Sequence, residues 1–152
     1  MLPRVIPILL LKGSGLYKTR QFIKPKYIGD PINSVRIFNE KEVDELSIID
    51  IDAARGLREP NIEILRDIGA EAFMPLSFGG GVNNCNIIQE LIVSGFERVI
   101  VNSAAVENPH FVNEVVEKFG TSTLIAAIDV RRDWRGRYRV YIHGGQEKTK
   151  LL

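Results

Sequence analysis

The sequence predicts an α/β protein: a partial barrel of parallel strands and helices, with about four βα units followed by a fifth strand and a hairpin. Three observations predict it. Strand-like and helix-like segments alternate at a spacing of roughly thirty residues, as βαβ repeats do. The strand-like runs are short, continuous and apolar, as befits strands covered on both faces. Polar residues or glycines recur where those runs end, which is the end at which a parallel barrel builds its ligand face. Five strands do not close an eight-stranded barrel. A doubly wound open sheet is the alternative, but its G-x-G-x-x-G fingerprint is missing, because no third glycine follows Gly13-Ser14-Gly15 at the right distance. Residues 1–152 therefore read as one incomplete barrel domain.

Taken in order, residues 5–11 form the first strand. Gly13 and Gly15 break it, residues 16–23 form a short hairpin arm displaying Lys18 and Arg20, and residues 24–28 read as a mobile loop. Asp30-Pro31 places a cap and a first-turn proline ahead of a helix with Val35, Ile37, Phe38 and Val43 on its apolar face. Residues 46–51 form the second strand, with Asp50 and Asp52 at its end. Pro60 opens the next helix, with Ile62, Leu65 and Ile68 inward and Gly69 as its stop. Residues 73–78 form the third strand, and Gly79, Gly80 and Gly81 follow it. Asn83 or Asn84 caps a helix carrying Ile87, Ile88, Leu91 and Ile92, closed by Gly95. Arg98–Val101 is the fourth strand, delivering Asn102 and Ser103. Asn108-Pro109 starts a helix through Phe119, stopped by Gly120. Residues 123–130 make the fifth strand, bearing Asp129 at its end, and residues 134–136 turn into a second extended arm over 138–142, followed by His143-Gly144-Gly145.

The composition bounds the partners. The chain has 152 residues, 45% of them hydrophobic, with 20 basic and 19 acidic side chains and a net charge of +1. No global field recruits nucleic acid or an anionic membrane, so any anion site must be local. The arginines from 131 to 139, with Trp134 and Tyr138, read as a solvated arm and not as a nucleic-acid surface. Cys85 is a lone cysteine, which rules out an internal disulfide and leaves no metal-ligand spacing. No metal or cofactor is expected. The first apolar run is too short to span a bilayer, and a reducing cytoplasm is the default compartment.

The stretch that concentrates chemistry is the third strand with its three glycines. Glycines permit positive φ and let a ligand approach bare backbone, and the free amides of a following helix favour an anion such as phosphate. Asp50, Asp52, Asn102, Ser103 and Asp129 share this end of the strands. Together they argue for a ligand face. His143 lacks a paired nucleophile or carboxylate at sequence level, so it carries no assigned role.

Several of these motifs occur together in one family and in one order: Gly29-Asp30-Pro31, Asp44-Glu45-Leu46, Asp50, Phe78-Gly79-Gly80-Gly81-Val82, Asn102-Ser103, Glu107-Asn108-Pro109, Ala127-Ile128-Asp129 and His143-Gly144-Gly145. In these the chain resembles the cyclase subunit of imidazole glycerol phosphate synthase, from residue 1 to about residue 149. The resemblance implies a (βα)8 TIM barrel that takes ammonia from a glutaminase partner and adds it to a phosphorylated ribulosyl-aminoimidazole intermediate, within histidine biosynthesis. It implies that Gly80, Gly81, Asn102 and Ser103 hold a substrate phosphate, that Lys18 closes over a phosphate from the first loop, and that Asp50 lies near the substrate. Asp129 matches one of two aspartates that exchange protons with the substrate. Arg4, Glu45 and Arg98 match charged residues ringing an ammonia entrance, with Glu97 close to the glutaminase contact.

The chain departs from that pattern twice. Leu10 stands where the family has its other catalytic aspartate, and leucine cannot transfer a proton. The first-strand pattern, with Ile49-Asp50-Ile51-Asp52-Ala53 and Arg58-Glu59-Pro60-Asn61, resembles a branch that delivers ammonia for amidation of a sugar in surface-polysaccharide synthesis. The second departure is length: a complete barrel takes about 250 residues, so strands six to eight lie outside this sequence. Open edges on the first and fifth strands would invite self-association, and a phosphate-binding half-barrel without chemistry is the further alternative.

Overall fold

A computed structural model describes residues 3–20 and 23–151. The parallel strands are β1 (Ile8–Lys12), β4 (Leu46–Asp50), β5 (Leu76–Gly79), β6 (Arg98–Val101) and β7 (Leu124–Ala126). They neighbour one another in chain order, and β2 (Gly15–Arg20) and β3 (Ile23–Gly29) extend the β1 side as an antiparallel hairpin. Between them run α1 (Pro31–Glu40), α2 (Ile62–Glu71), α3 (Cys85–Val93), the single-turn α4 (Ser103–Glu107) and α5 (Pro109–Phe119). A separate three-stranded antiparallel sheet follows, of β8 (Asp129–Arg132), β9 (Tyr138–Ile142) and β10 (Glu147–Lys148). The parallel strands with alternating helices are those of a partial TIM barrel.

Strand parity assigns every side chain to a face. Leu11, Leu46, Ile48, Leu76, Phe78, Val99 and Val101 are buried toward the helices, where Val35, Leu65, Ile68, Ile88, Leu91, Phe111 and Val115 meet them. Phe78 and Phe96 pack edge to face with ring centroids 5.8 Å apart. The alternate residues face the concave side. Ile8, Ser47, Ser77 and Arg98 lie in register, and above them Leu10, Ile49, Gly79, Ile100 and Ile125 form the next row.

The helix starts follow their local chemistry. Asp30 accepts the Asn33 amide, Asn61 the amides of Glu63 and Ile64, and Asn84 those of Asn86 and Ile87. Asn108 makes no side-chain capping bond, so Pro109 alone marks the start of α5.

Five sequence expectations need correction. Residues 24–28 are not a loop but part of β3. The outer edge of β1 is not open, because β2 pairs with it, and the edges of this sheet are β3 and the three-residue β7. Two residues of the expected hairpin arm, 21 and 22, lie outside the described residues. Gly69 does not stop α2, which runs to Glu71; a Cβ there would collide with the Ser94 carbonyl, so the glycine serves close packing of α2 on the end of α3. The third strand starts at Leu76, with Phe73 88% exposed before it. The fifth strand ends at Ala126, and Asp129 opens β8 instead of closing β7.

Candidate functional site at the strand ends

The concave face holds a cleft of about 460 Å³. Its floor is apolar, made by Ile8, Leu10, Ile49 and Ile100, and its rim is polar, with Gly80, Gly81, Asn102, Ser103 and Asp129 together on it. These five were all anticipated. Gly80 and Gly81 have φ of 110° and 71°, which glycine adopts freely, and a Cβ at Gly80 would collide with the Asp50 carbonyl. The bare backbone that the glycine triplet promised is therefore a steric requirement of this turn. The α3 amides are less available than expected, since the Asn84 side chain occupies two of them.

Asp129 is half-buried at the rim, and Asn102 Nδ2 donates to its Oδ2 at 3.1 Å. Burial pushes its carboxyl up from the ordinary value, against the pull of the Asn102 bond and the Arg131 charge. A carboxyl raised in this way holds or releases a proton closer to neutrality. The Asn102 side-chain oxygen Oδ1 is buried and has no partner among the described residues, so an acceptor is unmatched beside Asp129. Ser103 Oγ accepts the His143 amide at 2.9 Å.

Asp50 and Lys18 are placed apart from the cleft. Ile49 and Ile51 line it, so the intervening Asp50 points the other way and is fully buried. Its Oδ1 accepts the amides of Asp52 and Ala53, and its Oδ2 accepts Arg58 Nη2 at 2.7 Å. Burial nonetheless raises its carboxyl, outweighing these three attractions. Lys18 is exposed on β2 opposite Lys26, while its neighbour Thr19 lines the cleft.

At the other end of the strands Glu45, 1% exposed, accepts Arg98 Nη1 at 2.8 Å and Arg4 Nη2 at 3.2 Å through one oxygen. The second oxygen, Oε1, is buried without a partner among the described residues. Between this cluster and the cleft floor, the hydroxyls of Ser47 and Ser77 bond to each other at 2.7 Å. The charged trio was expected from sequence; the serine pair was not, although its strand positions are equivalent.

Arg55, Glu107 and Gly144 also line the cleft and were missed, because the single turns that bring them there are too short to show a period. Glu107 Oε1 lies 2.9 Å from His143 Nε2, which supplies the carboxylate that sequence reasoning did not find for that histidine. Cys85 is buried at the start of α3, its thiol pushed up by burial and by Glu114.

A parallel sheet with intervening helices, and with glycine, amide, hydroxyl and carboxylate groups converging at its C-terminal rim, defines a protein of the (βα)-barrel class. The profile of the histidine biosynthesis protein family matches residues 4–152, and the chain belongs to that family. It is 44% identical over 147 residues to a provisionally named imidazole glycerol phosphate synthase subunit of Pseudomonas aeruginosa, covering 97% of this chain and 59% of that protein. A provisionally named subunit of the same synthase from Leptospira borgpetersenii is 43% identical over 148 residues, 97% of this chain and 58% of its own length. The imidazole glycerol phosphate synthase subunit of Alkaliphilus metalliredigens is 35% identical over 148 residues, again 97% and 59%. The chain thus spans under two thirds of the length of these relatives. Among the described residues no helix is long and apolar enough to cross a membrane.

Proposed function

We propose that this chain is the strand-one to strand-five part of an ammonia-using synthase subunit, working with a glutaminase partner on a phosphorylated ribulosyl or sugar substrate. The observation that carries the reading is the polarity of the two ends of one strand bundle. One end carries a buried carboxylate held by two guanidiniums, and the other carries a cleft with a half-buried carboxylate on its rim. In this reading Gly80, Gly81, Asn102 and Ser103 hold a phosphate through backbone, amide and hydroxyl donors. Asp129 takes a proton from the attacking nitrogen or returns one to the substrate. Ammonia enters past Arg4, Glu45 and Arg98 and passes the Ser47–Ser77 pair, whose hydroxyls stand in register with Arg98. The partner docks on the exposed side near Glu97.

Leu10 favours a second version, amidation of a sugar in surface-polysaccharide synthesis. It lines the cleft floor with an isobutyl group where the cyclase pattern has a carboxylate, so of the two aspartate positions of that pattern Asp129 alone keeps its acid. The test supplies ammonium and the phosphoribulosyl intermediate to the full-length protein. Turnover, or turnover restored by Leu10→Asp, supports cyclisation. Its absence in both sinks the histidine version and leaves sugar amidation to be assayed with phosphorylated sugars.

A further inference from the structure

The cleft rim holds one guanidinium that the proposed function does not use, and the His143-Gly144-Gly145 turn lies against it. Arg55 lines the cleft from the loop after β4. A Cβ at Gly144 would come within 3.1 Å of Arg55 Cγ and 3.6 Å of its Nε, so the missing side chain is what lets the turn pack on the arginine stem. Gly144 has φ 64° and His143 φ 53°, a left-handed pair that few residues other than glycine and asparagine adopt readily. The same turn presents the His143 amide to Ser103 Oγ at 2.9 Å and the His143 ring to Glu107 at 2.9 Å.

We propose that Arg55 is an anion ligand of this cleft, seated by the His143-Gly144 turn, and that it supplies the charge for binding a phosphate monoester. The proposal rests on the phosphate reading of Gly81, Asn102 and Ser103. Those groups are neutral, and neutral donors stabilise a dianion less than a guanidinium does, whose paired N–H groups match phosphate oxygens. Gly81 neighbours the Arg55 loop directly, because a Cβ on it would meet Ala53 at 3.1 Å. The turn acts on two further groups. By donating to Ser103 Oγ it occupies a lone pair and leaves the hydroxyl proton to be donated elsewhere. By engaging Glu107 it ties up a carboxylate that lines the same cleft and would repel phosphate. One short motif therefore orients a cation, a hydroxyl and an acid at one rim.

The experiment titrates ribose 5-phosphate into the full-length protein by calorimetry, with ribose as the uncharged control and thermal melts for every variant. Arg55→Gln is expected to weaken ribose 5-phosphate about tenfold or more, as loss of a charge-assisted bond does. Arg55→Lys should weaken it less, and Gly144→Ala should act in the same direction by displacing the arginine stem. Ribose should bind equally to all. Unchanged affinity in Arg55→Gln, with affinity lost in Asn102→Ala, overturns the role of Arg55 and leaves the phosphate cradle standing. Affinity unchanged in both variants, or no binding by the native protein, overturns the cradle and this proposal together. If Gly144→Ala melts far below the native protein, the two Arg55 variants decide the question alone.

Discussion

Two carboxylates stand at the C-terminal ends of the parallel strands, Asp50 as the last residue of β4 and Asp129 beyond β7, and the regions around them differ in every side-chain hydrogen bond. Asp50 lies between sheet and helices, fully buried, with two backbone amides and Arg58 on its oxygens. Asp129 lies on the cleft rim with one neutral amide, from Asn102, as its side-chain partner. Burial raises both carboxyls. What separates them is what the surroundings can do with the charge: the Asp50 region saturates it and gains a fixed loop, whereas the Asp129 region leaves it accessible to a ligand. The loop Asp50 fixes carries Ala53, Ala54 and Arg55 to the cleft, so the buried acid positions the wall that the rim acid faces.

The largest expected effect breaks the comparison at the rim. Asp129→Asn should lower turnover by about three orders of magnitude, as loss of a general acid–base group does, while the protein stays folded; steady-state rates beside a melting curve check both halves. A variant that retains its rate removes Asp129 from the chemistry.

The next breaks it on the helix side. Asp50→Ala should cost about 3 kcal/mol in chemical denaturation, because Arg58 loses its partner and the Asp52 and Ala53 amides lose their acceptor. Asp50→Asn should cost about half as much, since its amide oxygen can still accept both backbone donors. Equal costs would mean that the ion pair alone matters. Gly80→Ala, which forces a Cβ onto the Asp50 carbonyl at φ 110°, should cost about 2 kcal/mol and perturb both regions at once.

The smallest effect is in the pH dependence of stability. A carboxyl raised on folding contributes stability that is fully present below its unfolded pKa and is lost as pH rises through the folded one. Asp129→Asn should therefore melt slightly above the native protein at neutral pH, and this gain should vanish on acidification to about pH 2.5, more than a unit below the ordinary carboxyl value, where the carboxyl is protonated in both states. A gain that persists at that pH would have a source other than charge burial.

The strand runs and their end residues were legible because hydrophobic periodicity and helix starts are local: Asp30-Pro31, Arg98–Val101 and Asn108-Pro109 were placed as they stand. Gly80, Gly81, Asn102, Ser103 and Asp129 were found for the same reason, since each follows directly or closely on an apolar strand. Arg55, Glu107 and the depth of Gly144 were not legible, because they sit on single turns too short to show a period and their neighbours are distant in sequence.

The chain's own order of residues thus determined the α/β class, the succession of strands and the rim chemistry, since these follow from the repeat of apolar runs and from what ends each one. Only the tertiary structure decided which face each strand-end group serves. A shift of one residue exchanges the two faces of a strand, so Asp50 turned to the helices while Ile49 and Ile51 turned to the cleft. Likewise it is packing between remote loops, Gly144 on Arg55 and His143 on Ser103, that brings separate segments to one rim.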